Sequence, residues 1–187
     1  LNAVPEMIWV KQRTSSTDWQ VYHKGLNGGT NPEQYRMVLN SFAAEQDDNT
    51  AWNDTAPTAT HFSLGTMAEV NNNDESLIAF LFTSVEGVSK CGFYNGSNSD
   101  QTITLGFQPR LFICKARDEG SGDYDWLIMD STRGLVGASG KQLFLNLSSS
   151  QDSENFVDSV SSTGITLQGI KSHCNFSGRE YIYYAHA

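Results

Sequence analysis

Pro5–Gln12 reads PEMIWVKQ and Pro109–Ala116 reads PRLFICKA. Each is a proline, one variable residue, four apolar residues and a lysine. The two prolines lie 104 positions apart, and the correspondence continues along the chain. Asp18-Trp19 matches Asp125-Trp126 at an offset of 107, and VLN ending at Asn40 matches FLN ending at Asn146 at 106. FSL, Phe62 to Leu64, matches ITL, Ile165 to Leu167, at 103, and LIAFL from Leu77 matches YIYYA from Tyr181 at 104. The order never changes. The drift falls in Gly/Ser/Asn stretches, where loops absorb insertions, so an internal duplication explains the pattern.

The duplication also sets a frame. LNAVP, Leu1 to Pro5, aligns with LGFQP, Leu105 to Pro109, but only the second copy is preceded by SKCGFYNGSNSDQTIT. The expected organisation is therefore a first β module over residues 1–88 lacking its opening segment and a fuller second module over 89–187. On this reading the chain is a piece of a longer polypeptide. Whether the modules form one continuous sandwich over 1–187 or two small ones stays open at this point, with one two-sheet body favoured.

The repeated pieces have the signature of strands. MIWVKQ and LFICKA are short apolar runs suited to buried strands. DWQVYHK and YDWLIMD are aromatic and β-branched, and YRMVLN alternates as a half-buried strand does. TITLGF, GITLQG, HFSLGT and REYIYYAHA follow the same rule. Turn formers separate them: LNGGTNPE, NNNDES, NGSNSD, DEGSGD and GASGK. About a dozen strands are expected, with no helix beyond a turn or two; FAAEQDDN is the segment best able to form one turn. The fold class is all-β, an antiparallel sandwich or jelly roll. Within YDWLIMD, Trp126, Ile128 and Asp130 share one face and Asp125, Leu127 and Met129 the other, and Trp126 is expected to be buried.

Composition narrows the function. Of 187 residues, 39% are apolar and only 18% charged, with a formal net charge of -9. Lys and Arg never cluster, so the surface repels phosphate backbones and nucleic acid is not an expected partner. No apolar run approaches the length of a membrane-spanning helix, so membrane insertion is not expected either. Cys91, Cys114 and Cys174 are odd in number and lack metal spacing. They read as free thiols packed like small apolar side chains, with one disulfide plus one free thiol as the alternative.

VPEMIWVKQRTSSTDWQVYHKGL, VLNSFAAE, WNDTAPTATHFSLGT and the long run from Leu77 to Lys115 resemble a β-repeat domain of bacteriophage virion proteins. That domain is frequent in tail-fibre-like and capsid-appendage proteins of marine phages, including cyanophages. NFSGREYIYYAHA resembles the usual ending of that module. The resemblance covers nearly the whole chain and is thinner at 117–123 and 147–163. It implies a concanavalin-like lectin sandwich serving as a structural or adhesive part of the particle surface, and it carries over no catalytic motif.

The chemistry-bearing residues agree. Paired strand carboxylates of the glycosidase kind are absent, and the acids fall in loops at Asp47-Asp48, Asp74-Glu75 and Asp118-Glu119. His23, His61, His173 and His186 show no metal-binding spacing. No catalytic residue, cofactor or metal is expected. The best calcium candidate is RDEGSGDYD, where Asp118, Glu119, Asp123 and Asp125 offer hard oxygen ligands in one loop; the first copy keeps only Asp18 there. Trp52, in the polar stretch NTAWNDTAP, is either a sugar-stacking platform or, since Phe156 stands 104 positions on, an apolar plug on the core. The plug is favoured. Asn-x-Ser/Thr sequences at Asn53, Asn95, Asn146 and Asn175 are chance products of the composition.

Three functions compete. The first is a structural virion module packing against copies of itself, with a trimer as the leading expectation, and against other virion proteins. The second is a lectin-like module binding host-surface glycan. The third is a polysaccharide depolymerase, disfavoured by the missing carboxylate pair.

Overall fold

The computed structural model describes residues 1–136 and 140–187; part of the GASGK turn former lies outside them. Among the described residues the chain is all-β, with three antiparallel sheets and no barrel. Among the described residues the strands are β1 (Met7–Gln12), β2 (Gln20–His23), β3 (Tyr35–Val38), β4 (Gln46–Asp47), β5 (Leu77–Phe82), β6 (Ser89–Asn95) and β7 (Gln101–Thr104). The remainder are β8 (Leu111–Ala116), β9 (Leu127–Asp130), β10 (Gln142–Phe144), β11 (Val157–Ser161), β12 (Gly164–Leu167) and β13 (Glu180–His186). The first sheet runs β4-β3-β2-β1-β5, the second β10-β9-β8-β13-β6, and the third β11-β12-β7.

The first two sheets repeat each other in register. Met7 opposes His23 across β1 and β2, and Leu111 opposes Asp130 across β8 and β9. Met7 opposes Phe82 in β5, and Leu111 opposes His186 in β13. Gln20 opposes Val38, and Leu127 opposes Phe144. Each second pair is the first displaced by the offsets read from the sequence. Polar clamps recur too. The Lys11 ammonium donates to the carbonyls of Gln12 and Ser15 at 2.6 and 2.8 Å, and Lys115 donates to those of Ala116 and Glu119 at 2.5 and 2.9 Å. The Trp19 N–H donates to Asn40 Oδ1 at 2.9 Å, and the Trp126 N–H donates to Asn146 Oδ1 at 2.9 Å. Asn40 donates in turn to Asp18, and Asn146 to Asp125.

Alternation along the strands decides the layering. Met7, Val21 and Met37 face inward from the first sheet and meet Ile113, Trp126 and Ile182 from the second in one shared core. The other face of the second sheet, with Phe112, Cys114, Leu127, Met129 and Tyr183, packs on Ile103, Ile165 and Leu167 of the third sheet. The other face of the first sheet, with Ile8, Val10 and Tyr22, is closed by Ala51, Trp52 and Val70. These last come from two single-turn helices, α1 (Asn49–Trp52) and α2 (Ala68–Asn71). Sheets are thus stacked three deep, where the sequence favoured two.

Two sequence expectations shift. FAAEQDDN is not the helical turn: Gln46–Asp47 pairs with β3, and the turn starts after Asp48, whose side chain caps it by accepting from the Thr50 N–H at 3.0 Å. HFSLGT is not a strand. Its counterpart in β12 pairs on both sides, with β7 and β11, and the described residues offer the first half no equivalent of either strand.

Candidate functional site

Arg117 to Asp125, the loop with the calcium candidates, joins β8 to β9. Lys115, fully buried, points its ammonium at this loop. Burial pulls its pKa down to about 8, with Asp125, Asp118 and Glu119 pulling the other way. The acids already have partners. Asp118 accepts from the Glu180 N–H at 3.1 Å, Glu119 pairs with Arg179 at 2.9 Å, and buried Asp125 accepts from Asn146. Asp123 is exposed. Among the described residues no three His, Cys, Asp or Glu side chains converge as a metal-holding group. Lys115 and Arg179 answer the loop's negative charge, while Arg117 pairs with Glu45 and Glu180 outside the loop's acids.

Trp52 is buried at 2% exposure. Its indole N–H donates to the Tyr35 carbonyl at 3.0 Å, and Tyr22 meets it edge-on at 6.0 Å between centroids. Neither ring face is open. His23 is buried between the first two sheets; its Nδ1 accepts from the Gly25 N–H at 2.9 Å, which leaves Nε2 to donate to the Tyr183 carbonyl at 3.1 Å. Burial drives its pKa down to about 4. His61 lies exposed among Thr58 and Thr60, and His173 packs against Phe144 and Phe156. Cys91, Cys114 and Cys174 are free and buried, as the packing reading expected.

The surface feature that stands out is β5, LIAFLF. Among the described residues it pairs with β1 alone, at the edge of the first sheet. Exposure is 38% at Ile78, 43% at Phe80 and 36% at Leu81. No charge or proline blunts this edge, although edges are ordinarily blunted in that way. Half-buried Trp19 stacks on Phe80 at 6.1 Å between centroids, and exposed Val85 and Val88 extend the patch around the following turn. That turn is rigid. Val85 and Ser89 exchange backbone hydrogen bonds of 2.9 Å, and Glu6 accepts from the Ser84 N–H at 2.9 Å and from Lys24 at 2.8 Å. Burial works to raise the Glu6 carboxyl, but these bonds outweigh it and hold it below the usual range. A cleft of about 250 Å³ lined by Leu1, Ala3, Pro5, Leu81 and Phe82 opens at the end of the strand. In the sequence, LIAFL stands out only as the counterpart of YIYYA, 104 positions on.

A family model described as a domain of unknown function, DUF7483, matches residues 1–187, and the chain belongs to that family. No curated protein and no solved structure matches.

Proposed function

We propose that this DUF7483 chain is a non-enzymatic structural module of a bacteriophage particle. It forms part of a tail fibre, spike or capsid appendage on the virion surface, works as an oligomer, and packs against copies of itself and neighbouring virion proteins. The observation that supports this reading is the β5 edge. It is an uncharged apolar strand exposed on both faces, and such surfaces mark contacts with other chains. The repeated register supports the finer architecture, a duplicated concanavalin-like module, and repetition suits appendages that gain avidity by linking weak contacts. A symmetric trimer would supply that multivalency.

The test is to purify the parent virion, locate this chain in it by electron microscopy, and weigh the full-length protein by mass photometry. An oligomer present at the particle surface is the expected result. A monomer absent from purified virions, or release of reducing sugar from polysaccharide by the isolated chain, overturns the reading. A glycan-binding role has one observation in its favour, the half-exposed Trp19 stacked on Phe80, since such a pair offers a platform for a sugar ring. Glycan-array binding lost in Trp19→Ala would establish it.

A further inference from the structure

Ile170 is the most exposed large apolar side chain among the described residues, at 66%. It also sits in the left-handed backbone region, with φ at 60°. That conformation is uncommon for any L residue and is strained for a β-branched one, where glycine or asparagine would relieve it. The turn that holds it is pinned on both sides. The Gly169 N–H donates to Asp100 Oδ1 at 3.0 Å, and a side chain at Gly169 would meet the Asn98 carbonyl at 2.5 Å. Buried Asn175 donates from Nδ2 to the carbonyls of Ser99 and Gln168 at 3.0 and 3.1 Å. Lys171 and Asn175 exchange backbone hydrogen bonds, and the Lys171 ammonium reaches Glu154 at 2.9 Å. The chain thus fixes a strained residue in one place and turns its apolar side chain outward. Strain that persists in a well-pinned segment clusters at functional sites.

The far end of the third sheet offers a seat for such a side chain. A cleft of about 450 Å³ there is lined by Pro109, Arg110, Ser131, Leu135, Val136 and Val160. β12 sets the separation. Its first residue, Gly164, pairs with Ser161, next to Val160, and with Thr104, where β7 runs on toward Pro109. Its last, Leu167, pairs with Gln101, next to the Asp100 that holds the Ile170 turn. Arg110 is exposed at the cleft, and Asp100 is exposed at the turn, so the two ends differ in charge as well as in relief. We propose that Ile170 of one copy of this chain seats between Pro109, Leu135 and Val160 of the next copy, and that Asp100 of the first is brought beside Arg110 of the second. The contact is head to tail, so it closes into a ring, as a trimer would, or continues as a file. A second copy is the occupant because one chain carries both halves with opposite charge. A side chain already fixed loses little freedom on docking. A single such contact is weak, and linked copies multiply it. The proposal rests on reading the chain as one that packs against copies of itself, and it names the two surfaces that meet.

The test is sedimentation of the whole chain up to about 1 mM, where growth beyond the monomer with concentration is expected. Ile170→Asn removes the anchor and suits the left-handed position. Its melting temperature is therefore expected to rise while association weakens by about tenfold or more. Arg110→Glu, at an exposed position of the cleft, weakens association without loss of the fold by circular dichroism. The two variants are then mixed. Ile170→Asn keeps an intact cleft and Arg110→Glu an intact Ile170, so the mixture is expected to form pairs that neither forms alone and to stop there. A wild-type chain monomeric throughout overturns the proposal, as does association undiminished in either variant. A mixture that forms no pairs overturns it too, because the contact is then not head to tail. A lower melting temperature for Ile170→Asn overturns it as well, because the side chain then serves the fold. Association that survives both variants runs through another surface such as β5, which leaves the proposed function standing, whereas absence from purified virions removes that function whatever these variants do.

Discussion

Trp126 is held at both ends. Its backbone N–H is fixed by Asn146, and its indole N–H crosses to the first sheet and donates to the Val38 carbonyl at 2.9 Å. The ring is 1% exposed, on the face the strand alternation assigned to it. Trp126→Ala is expected to cost about 3–5 kcal/mol in urea unfolding, the range for deleting a large buried ring. A loss under about 1 kcal/mol would contradict the packing. Trp19 holds the same place in the sequence repeat but lies half open on Phe80. Sequence made the two tryptophans equivalent, and only the partner across the layer distinguishes them. His23 supplies a pH dependence. Its native pKa of about 4 lies below the usual 6.5, so between those values the unfolded chain binds a proton the native chain refuses. The stability this contributes is present above pH 6.5 and is lost as pH falls toward 4, on the order of 3 kcal/mol. Chemical denaturation from pH 7 to 4 measures it, and His23→Gln is expected to flatten that part of the curve.

Strands such as β8, a short apolar run, and β9, an apolar run closed by Asp130, were legible from residue type and the flanking turn formers. β5 was legible as the counterpart of β13 but not as an edge. An uncharged apolar run is compatible with burial on two faces, and only pairing determines which neighbours it has. HFSLGT failed for the same reason, since strand propensity cannot supply an absent partner. Hydrogen exchange separates the two edges. The amides of Leu77, Ala79 and Leu81 are expected to exchange rapidly in the native chain. Those of Tyr181, Tyr183 and Ala185, covered by β6, exchange only on wider opening. Equal protection at the two sets would show that β5 is already paired.

The layers of the molecule are coupled through the shared core of the first two sheets and through Arg117, which pairs with Glu45 on one side and Glu180 on the other. His23 and Trp126 also bond across this junction. Calorimetry is therefore expected to show one cooperative transition; two separated transitions would mean that the repeated sheets fold as independent units. The stacking of three sheets was not legible. Alternation tells which side chains leave the same face, but it does not name the surface they meet. The loop carboxylates, which the sequence grouped as a metal candidate, were legible as a cluster. Their partners, the Glu180 N–H, Arg179 and Asn146, come from separate stretches of chain and emerge only in three dimensions.

The three buried thiols make a natural clock for this architecture. Burial pushes Cys91 and Cys114 up to about 12 and Cys174 well above its ordinary value, so the reactive thiolate is nearly absent in the folded chain. Cys91 belongs to β6 and Cys114 to β8, while Cys174 lies in the core between the second and third sheets. A colorimetric disulfide reagent added to the native chain will consequently tick only when this half of the molecule breathes, and the order in which the three sulfurs are consumed will record which layer parts first.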